Sequence, residues 1–299
     1  MTTVTFSGPA YAGDFPDPCV TVAGDAYWAY STGSGGRNLQ VMSSPDLRAW
    51  TAPADPLPVL PGWASPGLTW APRVVPGGDG YLMYYTVRHG ALGVQCISVA
   101  SSAHPGGPFT DSSSGPLVCQ AGAGGSIDPD PHLDPESGER HLLWKSDDNS
   151  QQRPTHIWGQ RLSPDGLSMA TGTAPALLLS QTRAWQSGVV EGPAATRLGG
   201  RFHLFYAANR YASAASGIGY ATADSLLGPY RDRSRYRPWL ATTGRARGPQ
   251  GPMVFTDRSG STRMAFAAWY GPVGYDRGGV RSLWIGSLGL TRSGRPSLR

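Results

Sequence analysis

Charged residues are scarce in this chain of 299 residues, at 15% of the total, and lysine is almost absent, with Lys145 as its one example. The net charge is still +5, because 25 basic residues outnumber 20 acidic ones, and every basic residue other than Lys145 is arginine. These arginines are scattered apart from a mild cluster at 231–237, whereas a nucleic-acid surface usually carries a basic stripe or a basic helix. We therefore expect no nucleic-acid partner.

Long apolar runs are absent too, so the sequence predicts no membrane span and no membrane partner. The first residues lack a basic segment followed by an apolar one, so no signal peptide is expected, and the compartment is left open. Neither a glycine-rich phosphate loop ending in lysine nor a G-x-S-x-G segment occurs. These absences argue against phosphoryl transfer and against serine-hydrolase chemistry.

Cysteine is rare as well. Cys19, Cys96 and Cys119 are too few and too far apart for a disulfide framework or a zinc site. We expect buried free thiols at these positions, with a single disulfide as the alternative.

Glycine, proline and aromatic residues are abundant, with 41 Gly, 27 Pro, 10 Trp, 13 Tyr and 7 Phe. Convincing amphipathic helices are missing. Aromatic and β-branched segments instead alternate with clusters of Gly, Pro, Asp and Ser, a pattern typical of strands and turns. The most apolar of these predicted strands are residues 26–32, 80–87, 140–146, 201–208 and 263–270.

Each of these strands follows a short stretch with a proline near its start, and the stretches begin 54, 57, 64 and 59 residues apart. A third strand follows each, and several units add a poorer fourth. Five such antiparallel units in series predict an all-β fold, a five-bladed β-propeller with an axial active-site pocket. We interpret residues 1–299 as one domain, with blades that start near 17, 71, 128, 192 and 251.

The prolines also align the five repeats and predict which side chains meet on the propeller axis. The residues before them form one ring: Asp17, Ala71, Asp128, Gly192 and Gly251. Glu191 lies one position earlier, so three carboxylates converge from blades 1, 3 and 4. Like charges raise one another's pKa, so one carboxyl can donate a proton while another accepts one, as glycoside hydrolysis requires. Taken singly, each Asp-Pro pair could instead simply begin a turn.

The motifs FPDPCV, TWAPRVV, GSIDPDPHLD and VVEGPAA, in this order and spacing, resemble glycoside hydrolase family 43 over nearly the whole chain. Members of that family are five-bladed propellers that cleave arabinose- and xylose-containing polysaccharides with inversion. The resemblance implies that Asp17 is the general base, that Glu191 is the general acid, and that Asp128 orients the acid and tunes its pKa. Inversion implies roughly 6.5–9.5 Å between the carboxyls of Asp17 and Glu191, whereas retention would need about 5–5.5 Å.

Two positions depart from the family pattern. Many members have W-A-P-D, whereas Arg73 follows Trp70-Ala71-Pro72 here. Many members also hold a metal ion or water cluster beneath the pocket with a fifth-blade histidine, where this chain has Gln250. We therefore expect no required cofactor, assign no metal ligand, and doubt a family-like calcium site.

Three residues are expected to contact substrate: Trp70, Gln250 and Arg281. Trp70 either stacks on a sugar face or packs between blades 1 and 2. Arg281 resembles a family arginine that hydrogen-bonds sugar hydroxyls, with a solvated arginine as the alternative. Asp130 and His132 alternate with Asp128 along one strand and are weaker candidates for ligand contact.

The segments LLWKSDDN and THIWGQRLSPDG are similar to the branch of the family that releases arabinose from α-1,5-linked arabinan or arabino-oligosaccharides. We expect a monomeric, exo-acting enzyme with such a substrate, in which Lys145 balances local negative charge. The alternatives are a β-xylosidase of the same fold and a non-catalytic carbohydrate-binding propeller.

Overall fold

The computed structural model describes residues 6–134 and 137–299, which form five antiparallel sheets in chain order. Blade 1 comprises β1 (Cys19–Ala23), β2 (Ala26–Thr32) and β3 (Leu39–Ser44). Blade 2 comprises β4 (Ala64–Gly77), β5 (Gly80–His89) and β6 (Gln95–Ser102). Blade 3 comprises β7 (Ser126–Leu133), β8 (Arg140–Ser146), β9 (His156–Arg161) and β10 (Ala176–Ser180). Blade 4 comprises β11 (Val190–Leu198), β12 (Arg201–Ala208), β13 (Gly217–Ala223) and β14 (Arg231–Asp232). Blade 5 comprises β15 (Arg247–Thr256), β16 (Thr262–Tyr270), β17 (Val280–Leu290) and β18 (Pro296–Leu298).

The helical content of these residues is four short 3₁₀ turns: Ala121–Ala123, Asp148–Gln151, Ala184–Gln186 and Tyr275–Arg277. In this described part of the chain, no helix has the length and apolarity needed to cross a membrane. The prediction of an all-β, five-bladed propeller is confirmed.

The second strand of each blade is the most apolar one because neighbouring blades cover both of its faces. In β8 six of seven residues are buried, and in β12 seven of eight are buried. A strand buried on both faces reads as a nearly continuous apolar run rather than as an alternation. This is why β2, β8 and β12 have the same bounds as the predicted strands 26–32, 140–146 and 201–208.

Five hydrophobic clusters lie between neighbouring blades, one at each junction. The cluster between blades 5 and 1 contains Phe15, Val20, Ala265 and Leu283, so the first and last blades pack together and close the ring. Each fully buried Val, Leu or Phe side chain contributes about 1.5–3 kcal/mol. The ring of clusters therefore fixes the axis on which the first strands converge.

The chain ahead of blade 1 also pairs with blade 5. Leu283 N–H donates to the Tyr11 carbonyl (3.1 Å), and Phe15 N–H donates to the Arg281 carbonyl (2.8 Å). This pairing brings the segment that leads into Asp17 beside Arg281, although the two residues lie at opposite ends of the sequence.

The start of blade 2 and the fourth strand of blade 1 differ from the prediction, and β15 begins at Arg247 rather than near 251. Strand β4 begins at Ala64 rather than near 71, because two irregularities in its pairing with β5 let the strand continue past the bend. The poorer fourth strand expected after β3 reduces to one isolated bridge between Val41 and Ala54.

The expectation of three free thiols is wrong for two of them, and the alternative of a single disulfide is confirmed. Cys96 and Cys119 form a disulfide, and Cys19 is free and buried. The chain returns alongside β6, where Ile97 N–H donates to the Val118 carbonyl (2.8 Å), and this pairing brings Cys119 next to Cys96. That return is a tertiary contact, which the spacing of the cysteines did not reveal.

Candidate active site

The five residues aligned through their prolines form one ring on the axis, called here the axial ring. All five have left-handed backbone, with φ between 45° and 55°: Asp17, Ala71, Asp128, Gly192 and Gly251. Pairing irregularities at this point of β4, β7, β11 and β15 re-aim each strand. The ring is tight, since a Cβ atom on Gly251 would lie 3.1 Å from the Asp17 Cα.

The Asp17 carboxylate is held at both oxygens. Its Oδ2 accepts a hydrogen bond from the Thr32 hydroxyl (2.6 Å), and its Oδ1 lies 3.5 Å from Nη1 of Arg281. The Thr32 hydroxyl also accepts from the Ala71 N–H (2.9 Å), so its orientation is fixed by the next blade. These contacts fix the direction in which the Asp17 carboxylate points.

Arg281 lies between two tyrosine rings beside Asp17. Its Nε donates to the Tyr275 hydroxyl (2.9 Å), and its guanidinium carbon lies 5.2 Å from the Tyr211 ring centroid and 5.6 Å from that of Tyr275. Burial alone would lower the pKa of Arg281, but Asp17 and Tyr275 raise it. Tyr211 is 50% exposed and Tyr275 is 45% exposed, so both rings present surface to solvent.

Glu191 has a different environment. Its Oε2 lies 3.4 Å from Nζ of Lys145, which is 1% exposed and lies 3.1 Å from Oδ1 of Asp147. Burial raises the pKa of Glu191 above its ordinary value; Lys145 opposes the rise and Asp17 adds to it. Burial alone would lower the pKa of Lys145, but the surrounding carboxylates raise it, so the ammonium stays charged.

Asp128 is hydrogen-bonded to the neighbouring blades on both sides. Its Oδ2 accepts from the Gly192 N–H (2.9 Å), and its own N–H donates to the Thr86 hydroxyl (3.1 Å). Burial raises the pKa of Asp128 and the charge of Glu191 raises it further, against the opposing effect of Lys145. The pKa of Asp128 is thereby raised to about 7.

The residues expected to contact substrate have three different placements. Arg281 lies in the site, as described. Trp70 is partly exposed, one residue before the axial ring and level with Glu191. Gln250 is 2% exposed, and its side-chain amide donates to the Tyr211 carbonyl (3.1 Å), which also accepts from Nε1 of Trp269 (2.7 Å). Gln250 thus supports the loop that carries Tyr211.

Two weaker candidates lie deeper along β7. Asp130 is 8% exposed, and its Oδ2 accepts from the Ala195 N–H (2.8 Å). The His132 ring packs edge-on against Phe202, with 5.9 Å between centroids. Within residues 6–134 and 137–299, no three His, Cys, Asp or Glu side chains group as metal ligands.

Thr32, Tyr211 and Tyr275 also lie at the site and were not predicted from the sequence. Thr32 had a detectable signal, because it and Thr86 are both the seventh residue of a second strand, and each accepts from the N–H of the next blade's ring residue. The tyrosines lie in loops after β12 and β16, where no repeat marks them. Surface recesses do not indicate the site either, because a recess of about 420 Å³ on blade 1, beside Trp50, contains no predicted site residue.

Residues 6–284 match the family model described as glycosyl hydrolases family 43. The chain is 26% identical to a thermostable family-43 glycoside hydrolase of known structure, with a TM-score of 0.85 over 99% of this chain and 96% of the other. It is 25% identical to an endo-1,4-β-xylanase from Bacteroides thetaiotaomicron, with a TM-score of 0.81 over 97% and 96%. An exo-1,5-α-L-arabinanase from a bovine ruminal metagenomic library shares the fold at 20% identity, with a TM-score of 0.72 over 98% and 99%. No curated protein matches the chain.

Proposed function

This chain belongs to glycosyl hydrolase family 43 and is a glycoside hydrolase, and from that premise we propose that it releases L-arabinofuranose from α-1,5-linked arabinan or arabino-oligosaccharides by exo-acting, inverting hydrolysis. The contrast between two carboxyls carries the chemistry: Asp17 is held by Thr32 and Arg281, whereas Glu191 is buried beside Lys145. Two observations support the choice of sugar. The segments LLWKSDDN and THIWGQRLSPDG of blade 3 resemble the arabinose-releasing branch of the family, and the whole chain is similar to an exo-1,5-α-L-arabinanase.

Asp17 is the general base in this proposal. The Thr32 hydroxyl and the Arg281 guanidinium stabilise its carboxylate and fix its direction. The ionised group accepts a proton from a water molecule that attacks the anomeric carbon, on the face opposite the leaving group. The ring position of Asp17 leaves its carboxylate 24% exposed, so water can reach it.

Glu191 is the general acid. Burial keeps it protonated to a higher pH than an ordinary glutamate, so it can donate its proton to the glycosidic oxygen. The carboxylate that forms is then stabilised by Lys145, 3.4 Å away. Asp128 positions this acid, because its carboxylate binds the N–H of Gly192, the residue that follows Glu191.

The sugar is bound at the mouth by Trp70 and Arg281, as the sequence predicts, and by the exposed faces of Tyr211 and Tyr275. Aromatic faces next to a charged donor suit a pentose ring, which has apolar C–H surface and hydroxyl edges. Gln250 acts through the backbone of Tyr211 rather than by touching the sugar.

A β-xyloside is the second candidate substrate. The observation in its favour is the likeness to an endo-1,4-β-xylanase, at 25% identity over 97% of this chain. The catalytic assignments are the same for both sugars, so this alternative changes the ligand and not the chemistry.

Product analysis tests the proposal. Wild type should release arabinose from α-1,5-arabinotriose and shorten linear arabinan from one end, and proton NMR at early times should show the β-anomer first. Glu191→Gln, purified in parallel, controls for contaminating activity. Release of xylose from xylobiose without any release of arabinose would favour the second candidate, and an α-anomer formed first would contradict inversion. A folded protein inert towards all of these would favour a binding module.

A further inference from the structure

A second layer of side chains lies beneath the axial ring, two residues further along each first strand. Its members are Cys19, Arg73, Asp130, Ala194 and Met253. Two of them are charged, and both are buried: Arg73 is 4% exposed and Asp130 is 8% exposed. A cation and an anion therefore lie under the catalytic carboxylates.

Arg73 contacts blades on both sides of its own. Its Nη1 donates to the Pro18 carbonyl of blade 1 (2.6 Å), and its Nη2 donates to the Pro252 carbonyl of blade 5 (2.8 Å). Its Nε lies 4.0 Å from Oδ1 of Asp130 in blade 3. Asp130 in turn accepts from the Ala195 N–H of blade 4 (2.8 Å). One guanidinium and its carboxylate partner thus join all five blades at one level.

A metal ion of the kind the family resemblance implied does not fit beneath this site. The carbonyl oxygens of Pro18 and Pro252 are the type of ligand that calcium takes, but both already accept from Arg73. Gln250, at the position of the family histidine, donates to the Tyr211 carbonyl. A second cation would also lie next to a buried positive charge, which is strongly unfavourable.

We propose that the Arg73 guanidinium is the built-in axial cation of this chain, so that the propeller needs no metal ion to hold its first strands together. Arg73 is in addition a positioning residue for Asp17. It binds the carbonyl of Pro18, which directly follows Asp17, and the carbonyl of Pro252, which directly follows Gly251. Gly251 is next to Asp17 in the axial ring, since a Cβ on Gly251 would lie 3.1 Å from the Asp17 Cα. This second role rests on the proposed function of Asp17.

Metal dependence is the first test and requires no substrate. Wild type is dialysed against EDTA, its metal content is measured, and its thermal unfolding is compared with EDTA and with added calcium. We expect a metal content far below one ion per chain and the same Tm in both conditions. A metal bound one to one, or a Tm that falls in EDTA and returns with calcium, would overturn the proposal.

Substitution of the cation is the second test, with Arg48→Met as the control because Arg48 is exposed at the surface. Arg73→Met should lower the Tm by about 10 °C, because it leaves Asp130 buried without its partner. Well below that Tm, kcat should fall about 100-fold with little change in KM, as expected when a reacting group is misplaced by about 1 Å. A Tm and a kcat equal to those of Arg48→Met would overturn it.

Rescue separates positioning from a general loss of stability. Arg73→Lys keeps the positive charge but lacks the two Nη donors that bind the Pro18 and Pro252 carbonyls. Relative to Arg73→Met, we expect it to recover a larger share of the lost Tm than of the lost kcat. Guanidinium ion at millimolar concentration should raise the Tm of Arg73→Ala and leave wild type unchanged; equal effects on both proteins would contradict the assignment. If the wild type cleaves neither sugar, the metal, Tm and rescue measurements still decide whether Arg73 is the axial cation.

Discussion

Asp17 and Glu191 lie within one residue of the same place in the blade repeat, yet their surroundings differ. Asp17 has both oxygens held, one by the Thr32 hydroxyl and the other by Arg281. Glu191 is paired with Lys145, which also lies beside Asp147. Burial raises the pKa of Glu191 above its ordinary value, and Lys145 opposes that rise. In the proposed mechanism, the surroundings of the two carboxyls, more than their place in the repeat, distinguish the proton donor from the proton acceptor.

The largest effect should come from removing the base. Asp17→Asn leaves no group to accept the proton of the attacking water, so kcat should fall about 10³–10⁴-fold on every substrate that the wild type cleaves. The values of kcat and KM are measured by steady-state kinetics. Asp25→Asn, a substitution in an exposed loop, is the control. Retention of more than a tenth of the activity would remove Asp17 from the mechanism.

Crowding the base without changing its chemistry should have the next largest effect. A Cβ at Gly251 would lie 3.1 Å from the Asp17 Cα and 3.3 Å from its Oδ1, so Gly251→Ala must displace the carboxylate. We expect a loss of about 100-fold in kcat, because a small misplacement of a reacting group has an effect of that size. Gly260→Ala is matched in having left-handed backbone, but has open space around it. If both variants lose activity equally, the cause is the backbone strain of alanine at a left-handed position rather than displacement of the Asp17 carboxylate.

Changes to the charged neighbours of Glu191 should shift the pH–rate profile. As the proposed general acid, Glu191 must be protonated to act, so its pKa should set the alkaline limb of the pH–rate profile. Lys145→Met removes the cation that lowers this pKa, so the limb should move to higher pH, and kcat should fall about tenfold as the product carboxylate loses its charged partner. Asp147→Asn removes a negative charge that competes with Glu191 for Lys145. The pKa of Glu191 should therefore fall, and the alkaline limb should move to lower pH. Shifts of the same sign in the two variants would contradict the arrangement.

The smallest effect should come from the hydroxyl that orients the base. Thr32→Val keeps the shape of the side chain but loses the hydrogen bond to Asp17 and leaves the Ala71 N–H without its acceptor. A loss of about ten-fold in kcat is expected, and Thr32→Ser should restore most of it. Equal activity of the valine and serine variants would show that Arg281 alone holds Asp17.

The sequence predicted those parts of the molecule that repeat. Strands such as β8 and β12 were predictable because burial between blades imposes one pattern five times. The axial ring was predictable for the same reason, since a proline follows each of its members. The chain departs from the family at Arg73, but nothing in the sequence showed that its guanidinium would reach carbonyls in blades 1 and 5.

The parts that escaped prediction depend on contacts between distant segments. Tyr211 and Tyr275 enter the site on loops of unequal length, and only the closed ring brings them to Arg281. The disulfide between Cys96 and Cys119 depends on the chain turning back beside β6. Local periodicity carries no information about such returns.

The dependence of activity on the leaving group tests the central claim most directly, namely that Glu191 donates the proton and Asp17 accepts one. A dinitrophenyl arabinofuranoside needs no protonation of its leaving group, whereas arabinotriose does. Glu191→Gln should therefore lose about 10³-fold on the trisaccharide but less than about tenfold on the aryl glycoside, while Asp17→Asn loses activity on both. Equal losses of Glu191→Gln on the two substrates would contradict the assignment.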